Sequence, residues 1–472
     1  MTTLRFHGSA AVLLLPLALF VAVTARLFIS EAAFDLTGLA AAGTLTLFSG
    51  SLLAKAPSEY WKAAVRGASS ELTGTVVLIL IASGIFSAMM KASGVADGLV
   101  FLGGMLHLTG HAFTVFVLLA SSLMAAATGS SIGTLLAAMP IFFPAGVALG
   151  ADPAMLAGAV LSGAIFGDNL APVSDVTVIS SVTQRFRDGT PADIAGVVRT
   201  RLPYAMTALA VSMPVYAFMG ASRPVSEAAL SGDASALLML VPVAVLIAVA
   251  VRTRDVLMAI SAGTVTGTAT GLLIGRLSFA TIFAADDGRL SGFLISGISN
   301  VSPIILLCVT LFAFTGIVRE AGVPDMMAKA LEAGSAGRPS ALRTELFLSA
   351  ATLVVTTLFA AVTSASVALV GSLTDDIGRA SNVHPYRRSH ILSGLANSLP
   401  VLMPFSAFVL ITMAAVSGLE GAAAVTPFTL MTAAFYPIAL FLVFGFMVLT
   451  GTGRMMETPE PEAAEAKTAT AL

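Results

Sequence analysis

Apolar residues run along this chain in stretches long enough to cross a bilayer as helices, and the short segments between them hold most of the charge. The pattern predicts spans near residues 10–26, 34–54, 73–91, 112–128, 131–150, 154–181 and 203–220 in the first half. In the second half it predicts 236–251, 256–275, 298–318, 345–361, 364–378, 389–416 and 428–450. That is about 12–14 spans: the glycine-rich 95–110 reads as a re-entrant loop, and 112–150 as a hairpin that need not cross fully. No Lys or Arg falls in the core of a predicted span.

One apolar run, Pro153 to Val182, breaks this pattern with Gly167-Asp168-Asn169-Leu170-Ala171-Pro172-Val173-Ser174-Asp175-Val176-Thr177. A charged side chain at mid-membrane costs roughly 2.5–3.5 kcal/mol on insertion scales. Proline removes a helix donor and clashes one turn back. Broken backbone is tolerated at that depth only where protein or a water-filled cavity satisfies the freed polar groups. The run therefore predicts a discontinuous helix with Pro172 at its break, lining a site for a small ion or solute.

The chain also repeats itself. Val12–Arg26 aligns with Leu238–Arg252, Gly94–Asp97 with Gly322–Asp325, Ala125–Thr128 with Ala360–Thr363, and Leu161–Gly163 with Leu392–Gly394. The shift is close to half the chain throughout, which marks a duplicated unit rather than a solenoid. Because the first repeat starts at the N-terminal apolar run, that run reads as a retained span and not as a cleaved signal peptide. With both termini on the inner side, Lys and Arg fall overwhelmingly on that side, as the positive-inside rule requires of a cytoplasmic face. The loop 182–202 carries four arginines and its repeat partner 417–427 carries none, so equivalent loops face opposite ways. The fold predicted is an all-α polytopic membrane protein of two inverted-topology repeats with discontinuous helices. Residues 1–220 form the first repeat, 221–235 a linker, 236–452 the second repeat and 453–472 a disordered cytoplasmic tail. The predicted location is the cell inner membrane.

Composition narrows the function. Of 472 residues, 57% are hydrophobic and 11% charged, about half the charge of a soluble domain. The net charge of −2 comes without basic patches, which excludes nucleic acid as a partner. The single cysteine, Cys308, supports neither a disulfide framework nor a thiolate metal site.

The candidate chemistry is oxygen ligation. Asp168 and Asp175, with Asn169, Ser174 and Thr177, surround the break, where freed carbonyls add further oxygens of the kind a hard cation such as sodium binds. A carboxylate shielded from water also holds a proton more readily, so one site can take either ion. The two hydroxyls also suit bonds within or between helices. The second half offers Asn397 and Ser398 with two prolines, Pro400 and Pro404, and no carboxylate. Before each broken helix lies a turn of small, mostly polar residues, Thr128, Ser130 and Ser131 in one half and Thr363 and Ser364 in the other. Such turns suit ligand contact and close helix packing equally. Gly263, Gly267 and Gly271 read as a packing face, and Asp375 and Asp376 beside Arg379, Arg387 and Arg388 as a solvated charge cluster. Gly129 to Gly133 fits the G-x-S-x-G elbow of serine hydrolases, with Ser131 as nucleophile. No histidine lies deep in a predicted span to serve it. No H-E-x-x-H, Walker A or dinucleotide fingerprint occurs.

With these residues in view, the run Ser162–Thr177 (SGAIFGDNLAPVSDVT) resembles the G-D-x-x-S-P-x-S-D-T-T signature of the NhaC-type sodium/proton antiporter family. Gly167, Asp168, Pro172, Ser174, Asp175 and Thr177 stand at the matching positions. Ala171 and Val176 replace a serine and a threonine, and Asn169 stands where lysine or histidine is frequent. The resemblance implies a secondary antiporter, not an enzyme, exchanging sodium for protons by alternating access, with no cofactor beyond those ions. Members of the family also move organic acids or amino acids, so a sodium- or proton-coupled carrier of a small carboxylate or amino acid stays open. A homodimer stays open as well.

Overall fold

The computed structural model describes residues 4–8, 10–27, 36–108, 110–221, 233–253, 255–286, 289–322 and 340–457. Most of the predicted linker and of the predicted tail lies outside these residues.

The chain is helical almost throughout. The first half runs α1 (Leu14–Ala25), α2 (Leu36–Leu53), α3 (Pro57–Ala68), α4 (Glu71–Ser93), α5 (Val95–Met105), α6 (Gly110–Thr128), α7 (Ser131–Ala148), α8 (Pro153–Leu170), α9 (Asp175–Val182) and α10 (Ile194–Met219). The second runs α11 (Leu240–Thr253), α12 (Val256–Leu273), α13 (Phe279–Ile282), a two-stranded hairpin of Ala284–Asp286 and Arg289–Ser291, and α14 (Phe293–Glu320). It closes with α15 (Ala341–Leu358), α16 (Thr363–Ala380), α17 (Pro385–Ala396), α18 (Ala407–Val416), α19 (Pro427–Ala433) and α20 (Phe435–Thr450). Among the described residues nine helices are long and apolar enough to cross a membrane, or eleven if two bent pairs each count as one span. The pairs bend by 53° across 385–416 and by 52° across 427–450. The protein is an all-α polytopic membrane protein.

Three departures from the sequence pattern matter for the site. The loop expected over 182–202 is shorter, because Asp193 caps α10 by accepting from the Gly196 N–H at 2.6 Å and starts it nine residues before the expected 203. Residues 57–68, expected as loop, form an amphipathic helix that buries Tyr60, Ala63 and Ala64. Residues 95–105, within the expected re-entrant loop 95–110, form a short helix.

One sequence of elements occurs twice: a helix, a left-handed corner, a second helix, then a broken helix. In the first half these are α6, Gly129 (φ 69°), α7 and α8–α9; in the second, α15, Ala360–Ala361 (φ 50° and 58°), α16 and α17–α18. Each corner packs on the break of its own half. A Cβ on Gly129 would lie 2.6 Å from Val173 and 3.2 Å from the Ser174 nitrogen, and the Ala360 carbonyl accepts from the Ala407 N–H at 2.8 Å. Left-handed backbone costs a residue with a Cβ roughly 1–2 kcal/mol, so the alanine corner is held there by its surroundings.

Helix α8 forms the centre of the core and is buried from Leu156 to Asn169. It lies against α6 at close range: a Cβ on Gly163 would meet the Leu118 carbonyl at 2.4 Å, and one on Gly167 the Ser122 carbonyl at 2.2 Å. Small residues at these crossings let backbones approach where lipid supplies no hydrophobic drive between helices. Gly263 and Gly267 on α12 likewise face Leu246 and Phe86, and Met89 and Pro242.

Candidate functional site at the two helix breaks

Pro172 has no N–H, so the Asp168 carbonyl loses the donor that an unbroken helix would supply. The Ala171 N–H reaches back to the Gly167 carbonyl (2.9 Å), α8 ends, and the Ser174 N–H turns onto the Ala171 carbonyl (3.2 Å). Helix α9 restarts at Asp175. This places Asp168 in the last turn of α8 and Asp175 first in α9, where a carboxylate complements the helix dipole.

The two aspartates have different environments. Asp168 is 5% exposed and accepts from the Ser131 hydroxyl at 3.0 Å. Asp175 and Pro172 are exposed. Ser131 reaches Asp168 because the Gly129 corner sets it at the first residue of α7. The neighbouring hydroxyls hold the corner: Ser130 accepts from the Gly133 N–H (3.1 Å) and Thr128 from the Ser130 N–H (3.4 Å). Ser174 is buried with its hydroxyl unpartnered. Asn169, also buried, donates to the Tyr436 hydroxyl and accepts from the Ser393 hydroxyl, each at 3.2 Å.

Thr177 leads to a residue that the sequence pattern misplaces. Its hydroxyl accepts from Nη2 of Arg201 at 2.9 Å, and Nη1 of the same guanidinium donates to Ser393. Arg201 is 0% exposed. Sequence reasoning put it in a loop because it lies beside the predicted start of a span at 203. The earlier start of α10 carries it one turn further and turns it inward, so the expectation of no basic side chain within the span cores is wrong. Among the described residues no carboxylate pairs with Arg201, and its Nε–H has no acceptor.

From the second half, Ser393 on α17 joins this group directly. Asn397, one turn on, is fully buried with both amide atoms unpartnered, and Ser398 donates to the Leu395 carbonyl at 2.7 Å. Pro400 is buried and Pro404 half-buried around the break, which ends where Ser406 caps α18 through the Val409 N–H (3.1 Å). Thr363 begins α16 and is buried, and Ser364 is half-buried. Among the described residues no hydrogen bond joins Thr363, Ser364, Asn397 or Ser398 to Asp168.

Nor is Asp375 solvated. It is buried and accepts from Nη1 of Arg388 at 2.7 Å, while Gln184 accepts from the same nitrogen at 3.0 Å. Beside this pair Glu345 takes both Arg387 (3.0 Å) and Arg454 (3.0 Å). Helix α17 is enclosed along its whole length, so its two arginines require buried counter-charges. His390 on the same helix is also fully buried, contrary to expectation. It bonds the Thr200 hydroxyl (2.9 Å), and among the described residues no histidine bonds Ser131. The geometry therefore gives the hydrolase reading no base. Among the described residues no three His, Cys, Asp or Glu side chains group as a metal site.

Interrupted helices thus meet around buried polar side chains, in a bundle whose helices are long and apolar enough to cross a membrane. Residues 3–221 match the model of the Na+/H+ antiporter family. That segment is just under half the chain and includes the whole first break. It is 33% identical over 158 residues to the malate-2H+/Na+-lactate antiporter of Bacillus subtilis, covering 34% of this chain and 32% of the relative. It is 40% identical over 104 residues to the Na+/H+ antiporter NhaC of Alkalihalophilus pseudofirmus, covering 21% and 22%. The matches thus span a third or less of these curated relatives. Among solved structures, the YdaH transporter of Alcanivorax borkumensis is similar with a TM-score of 0.39 at 12% identity, covering 81% of this chain and 86% of that one. MtrF of Neisseria gonorrhoeae gives 0.39 at 11%, covering 82% and 83%.

Proposed function

We propose that the protein exchanges sodium for protons across the cytoplasmic membrane, with Asp168 as the carboxylate that holds one ion or the other. The observation that carries this reading is the burial of Asp168 at a helix break, where it accepts from the neutral Ser131 hydroxyl and, among the described residues, no cation bonds it. A carboxylate buried this deeply takes up a proton or a metal ion more readily than one in water. Asn169, Ser174, Thr177 and the freed carbonyls supply nearby oxygens. Asp175, at the exposed start of α9, serves as the entry carboxylate that hands ions inward. Thr128, Ser130, Ser131, Thr363, Ser364 and the Asn397–Pro404 break form the walls that alternate around the site. The doubled element order supports two inverted repeats, 1–220 and 236–452, that rock against each other with both termini in the cytoplasm. The similarity to the malate/lactate antiporter supports a small organic acid as a second passenger.

Purified protein in liposomes with an internal pH dye tests the reading. Sodium or lithium, and not potassium, is expected to dissipate an imposed pH gradient, and Asp168→Asn and Asp175→Asn to abolish the response. Sodium-driven flux that survives both substitutions would reject the carboxylate site.

A further inference from the structure

We propose that Arg201 is the anchor for a carboxylate passenger, and that this passenger enters together with the cation held at Asp168; the second clause rests on the function proposed above. The first argument concerns hydrogen bonds. Arginine carries five donor hydrogens in a planar fork and is never deprotonated in proteins. Arg201 is fully buried, yet the acceptors it meets are two hydroxyls, of Thr177 and Ser393, and its Nε–H meets none. Burying an ion whose donors bond no carboxylate costs several kcal/mol, and a protein retains such a group where a ligand completes its hydrogen bonds. A carboxylate matches the unfilled part of the fork, since Nε–H and a neighbouring Nη–H grip two oxygens at once.

The second argument concerns charge. Arg201, Thr177, Ser393, Asn169 and Tyr436 form one connected group that ties α10 to α9, α17, α8 and α20, and the group contains no carboxylate of its own. Asp168, the residue before Asn169, is the other buried charge at this break. With Asp168 ionised and Arg201 cationic the empty site is neutral. A sodium ion or proton alone leaves one buried positive charge, and a cation with one monocarboxylate restores neutrality. The site thus favours a pair over a lone cation. Arg201 also touches both broken helices, through Thr177 in one half and Ser393 in the other, so a ligand on it is felt by both moving parts.

The test uses the full chain in two formats. Melting of detergent-purified protein is followed with propionate, lactate or succinate, with propionamide as the uncharged control. Uptake of the same labelled acids into proteoliposomes is followed with and without a sodium gradient, alongside the internal pH dye. The expected result is stabilisation by carboxylates and not by propionamide, with sodium-driven uptake of at least one acid. Arg201→Gln lowers carboxylate affinity by roughly 100-fold, as for loss of a buried charged partner. Arg201→Lys, which keeps the charge and loses the fork, lowers it by about tenfold. If carboxylates stabilise nothing and no labelled acid moves, the proposal is overturned, and sodium-driven proton flux under the same conditions leaves the antiport reading intact. It is equally overturned if acids move as well through Arg201→Gln as through wild type. If acids move through Arg201 without sodium, the anchor stands and the sodium reading falls. Should Arg201→Gln not yield monodisperse protein, wild-type stabilisation and the Arg201→Lys shift decide.

Discussion

Arg387 and Arg388 on α17 and Arg201 on α10 are all wholly buried, yet their surroundings are opposite. The α17 pair is met by Glu345 and Asp375 and by main-chain carbonyls of Thr452, Met447 and Arg185. Arg201 is met by hydroxyls alone. The first arrangement closes its charges internally and ties the loop after α9 and the segment after α20 to α15, α16 and α17, which makes it a structural clamp. The second leaves a charge to be completed from outside. Burial of a charge therefore does not by itself mark a site; a buried charge with no carboxylate bonded to it does.

The comparison can be broken most forcefully at Glu345. Glu345→Ala strands two guanidinium groups, and a loss of about 3–5 kcal/mol is expected, read as a collapse of the melting temperature in detergent. Arg201→Met should behave in the opposite way, with melting unchanged or raised because a buried charge that bonds no carboxylate has gone, while transport is lost. Equal destabilisation by the two substitutions would erase the distinction between clamp and site. A smaller effect is expected at Ser131→Ala, which removes a donor on Asp168 and stands to lose about 1–1.5 kcal/mol of bound-ion stabilisation, roughly a tenfold shift in the sodium concentration that half-activates flux. The smallest concerns a charge outside the membrane. The Tyr386 hydroxyl, then the Gly196 N–H, hold the exposed Asp193 carboxyl below its ordinary value of 3.8. A lowered carboxyl adds stability at all pH above its unfolded value and loses it as pH falls through the lower folded value. Asp193→Ala should therefore cost about 1 kcal/mol at neutral pH as a lost helix cap, with the difference from wild type shrinking as pH falls from 3.8 through the lower folded value.

What was legible in the sequence follows the same division. The break at Asp168–Thr177 stood out because carboxylates and proline inside an apolar run have no folding reason to be there. Two of the four short sequence matches fall in the doubled element order: Ala125–Thr128 with Ala360–Thr363 lie at the corners, and Leu161–Gly163 with Leu392–Gly394 in the first part of each broken helix. Arg201 was hidden by its position at the edge of a span, where one turn of helix decides between a loop cation and a buried one. Only the cap at Asp193 carries that information. The partners of Arg388 were hidden for another reason: Gln184 lies some two hundred residues away, and Asp375 reads from composition as one more charge near a loop. Asn397 was picked out from its neighbouring prolines, and the structure adds that both its amide atoms are unpartnered.

The central claim is that sodium and a proton compete for Asp168. It is tested most directly by counting protons released when sodium binds the purified protein, measured in weakly buffered detergent solution with a pH indicator. Wild type is expected to release protons as sodium saturates, with sodium affinity falling as the pH is lowered, and Asp168→Asn to release none. Undiminished proton release from Asp168→Asn, or sodium binding by wild type without any release, would contradict it.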